Sequence, residues 1–303
     1  MNHDDAKQKA LEHAAWLHFE GTQTSLTVEA AIEEYARNLD VEPLPDPKPE
    51  PGTFRVFDAI RWGGKPNLEP FGLEPIKFHY ASAFFDPVPD REDKNYNLPR
   101  SGVIENIARN APPGLNVGDV EHMWPGNGQA MVPAAIDSFV TMTERWQRNA
   151  RDNVKFGWYS SIPRNYHDAS DDKSSSDYRQ WIEGVRRNKP IIDLCDFLTL
   201  SLYTFYEDRE GWDLYARRNI EAGLEVAGGK PVYGVMWPLY HDSSDRKYQL
   251  IEESYIRMQL EVMKDAGLHG VIIWTRSNER QLDWNGGPPW WNAVREFIRE
   301  DRG

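Results

Sequence analysis

Seven short apolar runs, separated by amphipathic stretches, constrain this chain more than any other feature of its sequence. The runs are FRVFDAI (54–60), PIKFHYASAFF (75–85), LNVGDVEHMW (115–124), VKFGWYSSI (154–162), CDFLTLSLY (195–203), PVYGVMW (231–237) and GVIIW (270–274). Helical periodicity falls between them, clearest over 133–150, 177–187, 212–227 and 246–266. Strand, helix and strand repeated in this way build a parallel sheet. Lys230-Pro231 and Gly267 stand where helix-to-strand returns are expected, since proline cannot continue a helix and glycine takes the left-handed backbone that ends one. Polar and aromatic residues gather at the C-terminal ends of the runs, which fits a closed barrel better than an open doubly wound sheet. No glycine-rich phosphate loop follows any run, so a nucleotide-binding sheet lacks its signature. The expected fold is α/β: a TIM-like (β/α) barrel, irregular with seven strands, over residues 53–303.

The length of 303 residues suits one such barrel with a small appendage. That appendage is N-terminal. Ala6 to Glu20 reads as one helix, and Thr27 caps a second from Val28 to Leu39 with Glu29 and Glu33 in its early turns. Residues 1–42 are thus expected to form a helical extension, joined by a proline-rich linker, PLPDPKPEPG (43–52). The extension is too small to bury a core alone. It is expected to pack on the barrel, on a second copy of the chain, or within a larger assembly.

Composition narrows the functional classes. A net charge of −13 argues against a nucleic-acid binder, which needs a basic surface to displace counterions. A polyanionic polysaccharide stays open, provided a local basic patch meets it. No apolar run approaches the roughly 20 residues of a membrane span. The polar, acidic start MNHDDAKQKALEH has no basic segment followed by an apolar one, so no signal peptide is read. The expectation is a bacterial or phage protein, cytoplasmic as made or released within a surface assembly. The single cysteine, Cys195, lies in an apolar run and reads as a buried, inert thiol. With 12 Trp and 13 Tyr, the chain is rich in flat faces with a polar tip, which suit sugar rings as well as cores.

In an α/β barrel the active site lies at the C-terminal rim of the strands. The run LNVGDVEHMW puts Asp119 and Glu121 at such an end. Residues two apart in a strand face the same side, with backbones roughly 6.6 Å apart. Two carboxylates facing one cavity repel, so one of them is expected to keep its proton to higher pH. A general acid needs that property to protonate a leaving glycosidic oxygen, and Glu121 is the expected acid. The bland alternative is a commonplace Asp-x-Glu caught in salt bridges. Other run ends carry Tyr80, Trp124, Tyr159, Tyr203, Trp237, Tyr240 and Trp274, a ring suited to stacking sugars and holding their polar groups. Any one of these alone reads as packing. No His-x-x-x-His or Glu-x-x-His pair appears around His79, His122, His167 or His241, so neither a metal nor another cofactor is expected. The acidic, serine-rich segment 167–177 reads as a βα loop rather than a calcium loop. The tail DWNGGPPWW (283–291) reads either as an extension of a glycan cleft or as the anchor of the last helix.

Four segments, in order, make the chain similar to the hyaluronidase family of glycoside hydrolases. Asp119-Val-Glu121 resembles the family's catalytic Asp-x-Glu. KFGWYSSIPRNYHD (155–168) resembles its Gly-aromatic-Tyr segment, KPVYGVMWPLYHD (230–242) its Pro-Val…Tyr-Asp strand, and GLHGVIIW (267–274) its Gly-Val-Val-Leu-Trp strand. The resemblance implies an irregular seven-stranded barrel and substrate-assisted, retaining hydrolysis. Glu121 would act as acid and then base, while Asp119 would orient and stabilise the substrate's own N-acetyl group. Tyr203 and Tyr240 would match the tyrosines that hold this acetamido group, and Trp274 the tryptophan closing the pocket floor. The disulfides of the family's animal members are absent, and His122 and Met123 depart from its usual residues, which leaves the substrate open.

Three functional readings follow. The first is an endo-acting hydrolase of a polysaccharide containing N-acetylhexosamine. The second keeps the barrel but cleaves a non-acetylated glycan with a second carboxylate, for which Glu207, Asp242 and Glu279 are candidates. The third is a non-catalytic carbohydrate-binding protein, against which the intact Asp119/Glu121 pair argues, since binding alone needs no proton donor.

Overall fold

The structure, a computed structural model, describes residues 53–84, 100, 102–121, 132–165, 172–276, 284 and 286–302. The N-terminal extension (1–42), the linker (43–52), Trp124, His122, His167 and Glu279 lie outside them. Seven parallel strands form a nearly closed barrel: β1 (Arg55–Ala59), β2 (Leu73–Tyr80), β3 (Gly114–Asp119), β4 (Val154–Trp158), β5 (Leu198–Ser201), β6 (Val232–Met236) and β7 (Gly270–Trp274). Their spatial order is β4-β3-β2-β1-β7-β6-β5, so the first strand lies between the second and the last. Helices return the chain between strands: α1 (Val103–Asn110), α2 (Val132–Asn149), α3 (Ser176–Arg187), α4 (Lys189–Leu194), α5 (Arg209–Ala227), α6 (Glu253–Asp265) and α7 (Pro289–Arg302). A tight 3-10 turn, Glu69–Phe71, takes the place of a helix between β1 and β2. This is the irregular (β/α) barrel that the alternation predicts. Among the described residues, no helix is long and apolar enough to cross a membrane.

Caps explain where helices begin. The Ser175 side chain accepts from Tyr178 N to start α3, and Asp208 accepts from Gly211 N to start α5. The helix expected from residue 246 starts only at Glu253. Residues 239–252 instead fold back on themselves, with an antiparallel bridge between Leu239 and Leu250 and Tyr248 in left-handed backbone (φ 64).

The barrel closes between β4 and β5 without a strand ladder. Asp196 N donates to Phe156 O at 2.8 Å and Ser161 N to Thr199 O at 2.7 Å. Side chains add to these: Thr199 Oγ1 and Ser161 Oγ both donate to Trp158 O, at 2.9 and 2.8 Å, and Asp196 Oδ2 accepts from Phe156 N at 2.9 Å. The seam is tight enough that a Cβ on Gly157 would lie 2.5 Å from Phe197 O. Glycine is therefore a packing requirement there.

Two apolar clusters fill the molecule. The larger runs from the barrel interior to α5, α6 and α7. The smaller packs α1 and α2 on the barrel wall through Phe139, Trp146, Phe156 and Trp158. His79 belongs to this wall: its Nε2 pairs with Asn116 Oδ1 at 2.9 Å, its ring meets Trp146 edge-on, and burial pushes its pKa down. Cys195 is buried, its Sγ donating to Ile191 O, and burial raises the thiol to about 12. The tail tryptophans anchor the last helix: Trp284, Trp290 and Trp291 are all buried, with Trp290 on Trp62 and Trp291 on Phe71.

Candidate active site

Asp119 is the last residue of β3 and stands opposite Tyr80 in the β2–β3 register. On its other side, Tyr159 N donates to Gly118 O at 2.8 Å, which sets the end of β4 alongside. A Cβ on Gly118 would lie 2.5 Å from the Trp158 ring, so glycine lets these strand ends come together. The residue after Tyr159, Ser160, has left-handed backbone (φ 53), held by its N–H on Thr199 Oγ1. Because β3 ends at Asp119, strand alternation does not extend to Glu121, which lies exposed two residues further on.

The pair is electrostatically asymmetric. Burial raises the Asp119 carboxyl to about 7, the negative charge of Glu121 adds to the rise, and the Arg61 guanidinium opposes it. Burial thus keeps Asp119 protonated to higher pH than an ordinary carboxylate, whereas the sequence points to Glu121 as the acid.

Aromatic side chains from five strand ends gather at the same rim. The ring centroids of Tyr159 and Tyr203 are 6.1 Å apart, and Tyr203 stacks on Trp274 at 5.8 Å and 23°. Trp237 meets Tyr203 at 5.9 Å and Trp274 at 5.8 Å, both edge-on. Trp274 Nε1 donates to the Tyr80 hydroxyl at 3.3 Å. The contacts from Trp274 to Tyr80 pass β1, and those from Tyr203 to Trp274 pass β6. Contacts that skip a strand place these side chains over the mouth of the barrel. Burial pushes the Tyr159 and Tyr203 hydroxyls up, and the charges of Asp119 and Glu121 reach Tyr203 and push the same way. Both tyrosines are neutral donors at any working pH.

The structure gives Tyr240 another place. β6 ends at Met236, and Pro238 turns the chain before Tyr240 is reached. Its hydroxyl donates to Glu252 Oε2 at 2.8 Å and accepts from Arg246 Nη1 at 3.2 Å. The hydroxyl expected to hold a substrate group is thus engaged within the protein. Of the candidate second carboxylates, Glu207 pairs with Arg246 at 3.8 Å, and Asp242 pairs with His241 at 2.9 Å and Arg276 at 3.5 Å.

Three arginines at the rim went unnoticed in the sequence. Arg61, just past β1, lies 4.7 Å over the Tyr80 ring. Arg164 donates to Ser201 Oγ at 3.2 Å, the same oxygen that accepts from the Tyr159 hydroxyl at 2.9 Å. Arg276, just past β7, lies 4.4 Å over Trp237. The available signal was their position one or two residues beyond apolar runs. Each sets a positive charge against a rim residue, on a chain that is acidic overall. Among the described residues, no group of three or more His, Cys, Asp or Glu could hold a metal ion.

No family model and no curated protein sequence matches the chain. Solved structures do. A crystal structure of bee venom hyaluronidase superposes with a TM-score of 0.55 at 14% identity, covering 82% of this chain and 97% of that one. The same bee enzyme in complex with a hyaluronic acid tetramer gives a TM-score of 0.58 at 15% identity, over 81% of this chain and 96% of that one. At such identities the likeness is one of architecture, and the fold of this chain is that of bee venom hyaluronidase.

Proposed function

We propose that the chain is a glycoside hydrolase that cleaves a polysaccharide containing N-acetylhexosamine within the chain, with retention and with help from the substrate. The observation that carries this reading is Asp119, desolvated to a pKa of about 7 beside Glu121, opposite Tyr80 and within electrostatic reach of Tyr203. The bee enzyme of the same fold has been seen with a hyaluronic acid tetramer, a likeness that supports the substrate class.

In this scheme the resting Asp119 carboxyl carries a proton. The acetamido N–H of an entering sugar hydrogen-bonds the Asp119 carboxylate and favours its charged form, so the proton passes to Glu121. The acetamido carbonyl oxygen attacks the anomeric carbon while Glu121 gives its proton to the departing glycosidic oxygen. Asp119 then stands beside the positive charge of the cyclic intermediate. Glu121, now a base, takes a proton from water, and the hydroxide opens that ring with net retention. Neutral Tyr203 donates to a substrate oxygen, held in place by Tyr159, and Trp274 supplies an apolar floor. The rim arginines Arg61 and Arg164 would suit a glycan that carries acidic groups.

A two-carboxylate route is less well supported, since Glu207 and Asp242 are each engaged with arginine. A binding-only module has no use for a carboxyl held desolvated at a cost in stability. The test is release of reducing ends from polysaccharides with and without N-acetylhexosamine, hyaluronan and chondroitin among them. Cleavage restricted to the acetylated polymers is expected. Cleavage of polymers lacking that group would overturn the substrate-assisted mechanism, and no cleavage of any would overturn the assignment.

A further inference from the structure

The aromatic row over the barrel mouth does not end with Trp237. Its ring centroid lies 6.0 Å from that of Tyr248, in the loop between β6 and α6. Tyr159, Tyr203 and Trp237 are buried, whereas Tyr248 is 46% exposed. It is the solvent-facing end of the row.

Tyr248 is also held in place. Its backbone is left-handed (φ 64), which a bulky residue adopts only when its surroundings force it. Its N–H donates to Tyr240 O at 2.9 Å, and Tyr240 N donates to Gln249 O at 3.0 Å, so the loop is clamped on both sides. From above, Arg276 lies 5.3 Å over its ring and donates from Nη1 to its hydroxyl at 3.2 Å. The same guanidinium lies 4.4 Å over Trp237 and so contacts both rings. A strained backbone with a pinned ring is a costly way to expose an aromatic side chain, and such strain collects at ligand clamps. A ring fixed in advance loses little freedom when something stacks on it.

We propose that Tyr248 is a sugar-stacking platform, binding the C–H face of a pyranose at least one residue removed from the bond that is cut. It would thereby set the length of glycan the site prefers. This rests on the glycan-hydrolase reading above, and it assigns to Tyr248 binding of the longer chain rather than a part in bond cleavage.

The experiment compares wild type with Tyr248→Gly, Tyr248→Ala and Tyr248→Phe on hyaluronan and chondroitin fragments of graded length. Tyr248→Gly relieves the left-handed strain, so its melting temperature should equal or exceed that of wild type, and a loss of function cannot then be a loss of fold. The expected result is a KM for long fragments raised about fivefold to tenfold in the Gly and Ala variants, with kcat retained and Tyr248→Phe like wild type. The preference for long over short fragments should shrink by the same factor. A KM that matches wild type at every length in Tyr248→Gly would overturn the platform while leaving the hydrolase reading intact. If wild type cleaves none of the fragments, the hydrolase reading fails by itself. Calorimetric titration of the fragments and of the other polysaccharides above then decides the platform: affinity lost in Tyr248→Gly supports it, and equal affinity, or no binding by wild type, overturns it.

Discussion

The Tyr159 hydroxyl donates to Ser201 Oγ at 2.9 Å, across the junction of β4 and β5 where the barrel closes without a ladder. One hydrogen bond thus ties a site tyrosine to the weakest seam of the barrel wall. Tyr203, two residues beyond Ser201, leans on Tyr159 and on Trp274.

This arrangement separates the tyrosines by role. On the proposed mechanism, Tyr203→Phe is expected to lower kcat/KM on N-acetylated polysaccharide by about tenfold to a hundredfold, since it would remove a donor to the substrate. Tyr240→Phe should do the reverse. It breaks the bond to Glu252 and should cost about 1 kcal/mol of stability in urea denaturation while kcat/KM stays close to wild type. An activity loss larger in Tyr240→Phe than in Tyr203→Phe would reverse the assignment.

Glu121→Gln keeps shape and removes the proton donor. Turnover should fall by about a hundredfold to ten-thousandfold, while binding of oligosaccharides measured by calorimetry persists. Near-normal turnover would remove Glu121 from the mechanism.

Asp119→Asn gives a test that needs no substrate. The carboxyl pKa is raised to about 7 in the folded protein, so the folded state holds this proton more tightly than the unfolded chain does. Its contribution to stability is fully present below the usual carboxylate range and is lost as pH rises through about 7. The Asn variant has no such loss. Urea denaturation should find the two proteins alike near pH 4 and the variant more stable by on the order of 3 kcal/mol at pH 8. A stability difference that does not vary with pH would show that Asp119 is not desolvated as described.

Gly157→Ala probes the seam. The added methyl would meet the Phe197 carbonyl at 2.5 Å, and a backbone atom cannot swing aside. The expected cost is about 1 to 3 kcal/mol in denaturation, with β4 and β5 amides losing protection from hydrogen exchange first.

The barrel was legible because each strand is a compact apolar run, and because Lys230-Pro231 and Gly267 mark returns. Residues 246–252 misled, since their spacing continues the pattern of α6 while backbone bonds around Tyr240 hold them in a loop. Tyr240 misled for a related reason. It closes an apolar run in sequence, yet Pro238 redirects the chain before it. Tyr159 and Tyr203 stood out because they lie within two residues of the strands they follow. Arg61, Arg164 and Arg276 carry no periodicity, and only the closing of the barrel brings them together. The tail tryptophans allowed two readings because the sequence could not show that Trp62 and Phe71 wait beneath them.

The place of β1 has a consequence for the order in which the molecule assembles. It pairs with β2 on one side and with β7, made some two hundred residues later, on the other. α7 then covers the same region: Phe297 packs on Phe54, Asp301 accepts from Phe54 N, and Arg302 donates to Gly72 O. During synthesis the first strand therefore emerges long before its second neighbour and its cover exist. Its row of unpaired amides must stay out of trouble until the last strand arrives, which makes the nascent chain a natural client for chaperones that shield exposed strand edges.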